Sequence, residues 1–422
     1  MNTRFRALVR LMIVALLVPG LSACSREEEK EPVDGLEITL PDPPTGPPGT
    51  FLKVGDMVQA RKDFRVWQQG DGNVLVLGGK DDAGAVLDSA ERYDYHEGEF
   101  RGMPYPMSDA RVFFAVSPLG DGTLLICGGT DGASTLDSVD IFDPATLEFS
   151  AATPLVTPRS GHAALALLNN NVFLCGGRDG SGTVLATGEV YDRTTGDWIA
   201  TDNAMSVPRA DHSVTLLTNG KVLIAGGVDA AGNTLSSAEI FDPGAGTGQS
   251  GTFAATGSMP AARAGHRARM VNGGAYVDQV VLAGGYKGTV SSPASLSTAC
   301  AFDPKANGNV GAFTAILQGM AGARRDFTFT LLSGGQTMLA AGGNDLNVPE
   351  VFDPYALGSS SGMALDADFL RTQDDAGTPT SMTAVTHGRT GHGAAWMPNG
   401  TILLCGGEDG AAVTATAEIY NP

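Results

Sequence analysis

The chain has 422 residues, of which 42% are hydrophobic and 17% charged, with 57 glycines and a formal net charge of −19 at pH 7. A chain this acidic repels phosphate backbones and anionic lipid headgroups, which excludes nucleic acid as a partner. Glycine enrichment without a collagen period indicates the many tight turns of an all-β fold.

The first 23 residues have the features of an export signal. A basic segment up to Arg10 precedes an apolar run over residues 11–18. That run is too short to cross a hydrocarbon core, which needs about 20 residues. We therefore predict a signal peptide over residues 1–23.

The residues Leu-Ser-Ala-Cys at 21–24 resemble the bacterial lipobox. This resemblance implies that Cys24 is acylated and becomes the new N-terminus, with ordinary signal cleavage as the alternative. Ser25 implies sorting to the outer membrane if the host has two membranes. We expect a cell-envelope protein that touches the membrane only through its lipid, followed by an acidic, Pro-rich flexible linker over 24–50.

Double glycines after apolar runs recur seven times, 48 to 64 residues apart. They are Gly78-Gly79, Gly128-Gly129, Gly176-Gly177, Gly226-Gly227, Gly284-Gly285, Gly342-Gly343 and Gly406-Gly407. An arginine precedes each pair, and His or Phe follows that arginine three residues later. The arginines are Arg61, Arg111, Arg159, Arg209, Arg263, Arg324 and Arg389. The apolar runs between arginine and glycines are split by turn residues, which predicts a hairpin in every repeat.

Each repeat continues into a third strand that ends in an aromatic-Asx turn and a fourth strand with one aromatic residue. The seventh copy reaches its turn at Tyr420-Asn421-Pro422, where its fourth strand is due. An unassigned strand of the fourth type begins at Phe51. We therefore predict an all-β, seven-bladed propeller over residues 51–422, in which the N-terminal strand completes the last blade and protects the sheet edges.

These motifs resemble the kelch-repeat family, whose blades combine Arg-x-x-His, a double glycine, an aromatic-Asp and a Trp. The chain departs from the pattern with Phe for Trp in most blades and Phe for His in three. The resemblance implies that the strand opened by each arginine is innermost. The seven arginines would then lie at the mouth of the central channel and bind a carboxylate or phosphate. The alternative is that each one is bonded within the fold.

Other repeated polar residues are interpreted as structural. The Asp two residues after most glycine pairs suits a turn cap better than Ca²⁺ binding. The His residues alternate with Phe, which favours packing over metal ligation, and Cys127, Cys175, Cys300 and Cys405 sit at apolar strand positions. No metal and no cofactor is predicted.

Differences between blades are a second source of candidates, because loops on a rigid scaffold carry function. Blade five has insertions at 272–278 and 286–298, and residues 372–387 lengthen the connection into blade seven. The candidate ligand-binding residues there are Tyr286, Lys287, Asp374, Asp375 and His387.

The favoured function is a membrane-anchored, non-enzymatic scaffold that binds an unknown protein or carbohydrate. The alternative is a carbohydrate-active enzyme, resembling the sialic-acid epimerases or, less closely, galactose oxidase. The galactose oxidase resemblance would require a copper site and a domain after the propeller, and we expect neither.

Overall fold

The repeats fold into seven four-stranded antiparallel sheets, which confirms the predicted seven-bladed propeller. The structure is a computed structural model that describes residues 48–246, 250–332, 337–343, 348–355, 368–370, 388–410 and 412–422. First strands of neighbouring blades contact one another, so they line the centre of the ring.

The strands of the first half of the chain follow in blade order. The N-terminal strand and blades one and two comprise β1 (Thr50–Lys53), β2 (Arg65–Gln68), β3 (Val74–Leu77), β4 (Ala90–Asp94), β5 (Glu99–Gly102), β6 (Ala115–Pro118), β7 (Leu124–Cys127), β8 (Val139–Asp143) and β9 (Glu148–Ala152). Blades three and four comprise β10 (Ala163–Ala166), β11 (Val172–Cys175), β12 (Gly188–Asp192), β13 (Asp197–Ala200), β14 (Ser213–Leu216), β15 (Val222–Ala225), β16 (Ala238–Asp242) and β17 (Thr252–Ala255).

Blade five carries an extra hairpin, formed by Tyr286–Thr289 and Ser292–Ser295, between its second and third sheet strands. Its elements are β18 (Arg267–Val271), a 3-10 turn (Gly274–Tyr276), β19 (Gln279–Ala283), β20 (Tyr286–Thr289), β21 (Ser292–Ser295), β22 (Ala299–Asp303), a helical turn (Ala306–Asn309) and β23 (Ala312–Ile316). Blades six and seven comprise β24 (Thr328–Leu331), β25 (Met338–Ala341), β26 (Glu350–Asp353), β27 (Asp368–Leu370), β28 (Gly393–Trp396), β29 (Ile402–Cys405) and β30 (Ala417–Asn421).

Strand β1 completes the seventh blade, as the sequence predicts. It pairs antiparallel with β30, and Phe51 lies opposite Tyr420. Their rings pack with centroids 5.0 Å apart. The outermost strand of blade seven therefore comes from the start of the propeller, so residues from both ends of the fold close the ring.

Backbone hydrogen bonds from the double glycines join each blade to the next. The Gly79 N–H donates to the Arg111 carbonyl at 3.0 Å, and the same bond recurs in all seven blades. The bond from Gly407 to Arg61 closes the ring. Gly78 has φ of 60°, and a Cβ there would lie 2.5 Å from the Arg111 oxygen, so only glycine fits this approach.

The hydrophobic core lies between adjacent blades. The second strand of each blade is buried along its length, except for Gln279 at the start of β19, because it is covered on both faces by neighbouring sheets. One such cluster packs Leu75 and Leu77 of blade one against Phe114 and Ile126 of blade two. Within the part of the chain that the structure describes, no helix is long and apolar enough to span a membrane.

Candidate functional site

The seven repeat arginines are buried, with at most 1% of each residue exposed. Arg209 shows the arrangement. Its Nη1 donates to the carbonyl oxygens of Gly226 at 2.9 Å and Ser237 at 3.0 Å, and its Nη2 donates to the Glu239 carboxylate at 3.0 Å. Each guanidinium is therefore bonded inside its own blade. The prediction that these arginines line the channel mouth and bind an anionic ligand there is wrong, because each guanidinium is turned into its own blade and is held there by hydrogen bonds.

Six blades supply a buried carboxylate to the arginine from the start of the third strand. These partners are Glu91, Asp140, Glu189, Glu239, Glu350 and Glu418. In blades one to four and in blade six, this carboxylate also accepts a backbone N–H of the connection that enters the blade: Glu239, for example, accepts the Ser206 N–H at 2.8 Å. The arginine and its carboxylate thus form a structural clasp.

The channel mouth is formed by the residue two positions after each repeat arginine. All seven have φ between 54° and 64°, and they are Asp63, Phe113, Gly161, Asp211, Gly265, Asp326 and Gly391. Backbone hydrogen bonds link neighbouring members, such as Asp211 N–H to the Gly161 carbonyl at 3.0 Å. We call these seven residues the mouth ring.

A cavity of about 530 Å³ lies at the mouth ring and is lined by residues from all seven blades. This volume is in the range of small-molecule sites, about 300–1,000 Å³. Beyond the ring itself, the lining includes Arg65, Arg178, Arg267 and Tyr286. The cavity is therefore the candidate functional site.

Two arginines from first strands project polar groups into this cavity. Arg65 Nε donates to the Phe114 carbonyl at 3.0 Å, and Arg267 Nε donates to the Phe327 carbonyl at 2.7 Å. Burial and the nearby Arg267 lower the pKa of Arg65 to about 10. Both side chains remain cationic at neutral pH and are anchored through Nε, which orients them within the site.

Three acids of the mouth ring, Asp63, Asp211 and Asp326, offset the positive charge of these arginines. Burial raises the pKa of Asp63, the nearby carboxylate of Asp326 raises it further, and Lys62 and other cations oppose the rise. Asp211 pairs with Arg178 at 3.0 Å, and this pair is partly exposed. The site therefore offers both hydrogen-bond donors and acceptors, and no single charge dominates it.

Phe113 is the unusual member of the mouth ring. It has φ of 56°, a conformation that costs free energy for a bulky side chain, whereas the other six positions hold Asp or Gly. The residue is 42% exposed. The Lys80 ammonium lies 5.4 Å from its ring centroid. An aromatic surface is thus held at the mouth.

The inserted hairpin of blade five brings the candidate Tyr286 to the cavity, whereas the candidate Lys287 is exposed and does not line it. The hairpin is tied to blade four, because Gly288 N–H donates to Thr234 Oγ1 at 3.1 Å and Val290 N–H donates to the Gly232 carbonyl at 3.0 Å. The candidates Asp374, Asp375 and His387, and the lipidation candidate Cys24, lie outside the described residues.

The four repeat histidines are buried, and all four contribute to the lining of the cavity: His162, His212, His266 and His392. His212 Nε2 lies 3.4 Å from Cys175 Sγ, and His266 Nε2 lies 2.8 Å from the Ser213 hydroxyl. Burial, reinforced by Arg209, lowers the pKa of His212 to about 3. These rings are neutral packing groups, and the described residues include no group of three His, Cys, Asp or Glu side chains placed to bind a metal.

Arg65 and Arg267 were missed by the sequence reasoning. Both stand four residues after a repeat arginine, at a position that is Ala, Ser, Thr or Gly in the other blades. The sequence signal that could have identified them is that the residue type at this position, near the start of the innermost strand, varies from blade to blade.

Comparison with known proteins places the repeats in context. Residues 119–343, slightly more than half of the chain, match the family model of the KLHDC2/KLHL20/DRC7 Kelch-repeats domain. Among solved structures, the chain is similar to a fungal alcohol oxidase of the AA5 family in complex with copper. That match has a TM-score of 0.63 and 17% identity over 89% of this chain and 76% of the oxidase chain. At this identity it shows the fold alone. No curated protein matches the chain significantly.

We predict that His212→Phe weakens the pH dependence of stability in acid. The unfolded histidine binds a proton below pH 6.5, whereas the folded one does so only near pH 3. The wild type therefore loses stability as pH falls through this window, by up to about 1.4 kcal/mol per pH unit for each such histidine. Phe already occupies this position in three blades. Urea unfolding between pH 7 and 4 measures the effect, and an unchanged slope in the variant contradicts it.

Proposed function

The chain belongs to the kelch-repeat family, and from that premise we propose that it is a binding module that takes an uncharged sugar unit of a glycan at its mouth ring. The observation that carries the proposal is Phe113. Strained backbone at a surface position is retained where function needs it, and here it presents a phenyl ring beside the cavity.

The polar groups of the cavity can form hydrogen bonds with the hydroxyl groups of a sugar. Carboxylates of Asp63, Asp211 and Asp326 accept hydrogen bonds, and Arg65 and Arg267 donate them. An apolar sugar face packs against an aromatic ring while its hydroxyls reach such groups. A strongly anionic ligand fits less well, because the three acids surround the same space as the cations.

We predict that Phe113→Gly weakens glycan binding at least about tenfold, since a central aromatic contact is worth more than 1 kcal/mol. Glycine accepts φ of 56° without strain, so the variant should be as stable as the wild type. A glycan array on the wild type selects the probe, and isothermal titration calorimetry compares the variants.

The matched control is Trp396→Ala, which removes an exposed aromatic side chain at the far end of β28 from the mouth. This control should bind as the wild type does. If Phe113→Gly binds the selected glycan with wild-type affinity, the proposed site is wrong. If no glycan binds, a protein ligand replaces the glycan in the proposal, and capture from the cell envelope would test it.

A second candidate function is an acid–base enzyme acting on a sugar at the same site. The raised pKa of Asp63 favours it, because burial and the neighbouring Asp326 carboxylate increase the proton affinity of this carboxyl group, as proton transfer requires. Recovery of chemically altered sugar, lost in Asp63→Asn while binding remains, would establish this function over simple binding.

Copper chemistry of the AA5 type is not carried over to this chain. The histidines that line the cavity come from separate blades, and each is held near a Cys, Ser or Thr side chain, such as His392 Nε2 at 3.0 Å from Thr328 Oγ1. The described part of the chain holds no set of three metal-binding side chains. Its residues therefore do not fit a copper centre.

We further propose that the propeller is displayed at the bacterial cell envelope by a lipid on Cys24. The support is the lipobox-like sequence that ends at this residue. We predict that the full chain, expressed in a bacterial host with an alkyne-tagged fatty acid, is labelled and enters the membrane fraction. Cys24→Ser should abolish both, and equal labelling of the two proteins would contradict lipidation there.

A further inference from the structure

Blade five breaks the clasp that the other six blades share. Arg263 is 1% exposed, and its Nη1 donates to the carbonyls of Gly284 and Thr298 at 3.0 Å each. Its Nη2 donates to Thr298 Oγ1 at 3.3 Å. The position of the partner carboxylate is occupied by Cys300. Among the described residues, no acid forms an ion pair with Arg263.

Cys300 does not replace the missing charge. Burial raises the pKa of its thiol, and the nearby Arg263 only partly opposes this. The thiol is therefore neutral at pH 7. A buried guanidinium without a counter-charge is strongly unfavourable, because little of its hydration is recovered.

The backbone donors around Cys300 also differ from those in blade four. In blade four, the carboxylate of Glu239 accepts the N–H groups of Ser206 and Val207. The equivalent residues in blade five are Pro260, which has no N–H, and Ala261. The Ala261 N–H has no hydrogen-bond partner in the described chain. Blade five therefore lacks both the carboxylate and one of the two backbone donors that bind it in blade four, and the remaining donor is left without a partner.

We propose that a monovalent anion of chloride size binds in blade five between Arg263 Nη2 and the Ala261 N–H. It takes the place that a carboxylate fills in the other blades. The single negative charge matches the guanidinium, and cysteine lacks the carboxylate group that would otherwise fill the space. Pro260 is exposed and Ala261 is partly exposed, so the ion can enter from solvent.

Melting of the full chain against chloride concentration tests this site. Gluconate keeps the ionic strength constant, so that only a specific ion effect remains. An ion that binds only the folded state should raise Tm by about 2 °C for each tenfold rise in chloride above its Kd. Cys300→Glu restores the carboxylate of the other blades and should remove the response, whereas Arg101→Ala, which removes an exposed arginine of blade one, should keep it.

Two outcomes would overturn the proposal. One is a chloride response that is the same in the wild type and Cys300→Glu. The other, which needs no variant, is the absence of an anomalous bromide peak within about 3.5 Å of Arg263 Nη2 in wild-type crystals soaked in bromide. A Cys300→Ala variant tests whether the counter-charge of Arg263 is a bound ion or the Cys300 thiolate. If it is a bound ion, as we propose, the variant should respond to chloride as the wild type does. If it is the thiolate, a chloride response should appear only in the variant.

Discussion

The fold depends on one arginine in each blade, which acts through both its side chain and its backbone. Its guanidinium binds the first glycine carbonyl and, in six blades, a carboxylate of its own blade. Its carbonyl oxygen accepts the N–H of the second glycine of the preceding blade. One residue therefore orders a blade internally and joins it to its neighbour. The first glycine is required because a Cβ at Gly78 would lie 2.5 Å from that carbonyl oxygen, and the second because a Cβ at Gly79 would lie 2.6 Å from the Lys62 oxygen.

Because the repeat arginines stabilise the fold, the residues available to bind a ligand are at positions whose residue type varies between repeats. Those positions lie two and four residues after the arginine and just after the glycine pair, and they surround the channel mouth. Backbone geometry sets a further limit, because the residue two positions on must adopt positive φ. Asp and Gly satisfy this at little cost, which gives the mouth its acids, and Phe113 is the exception.

The sequence was sufficient for the blade count and for the closing strand, because seven in-register copies and one missing fourth strand leave a single closed arrangement. It interpreted the histidines and cysteines as packing groups, since apolar residues replace them, and the structure buries both sets. It misplaced the repeat arginines: spacing locates a residue at the start of the innermost strand but does not give the direction of its side chain. Arg65 and Arg267 were overlooked for a related reason, since a search for repetition discards the positions that vary.

The clasp is tested most directly by a double-mutant cycle on Arg209 and Glu239, measured by urea unfolding. We expect Arg209→Met and Glu239→Leu each to lose about 3–5 kcal/mol, because each leaves a buried charge unpaired. The double variant should lose less than the sum of the two. Single losses below about 1 kcal/mol, the range of an exposed pair such as Arg178 and Asp211, would contradict the central role of the clasp.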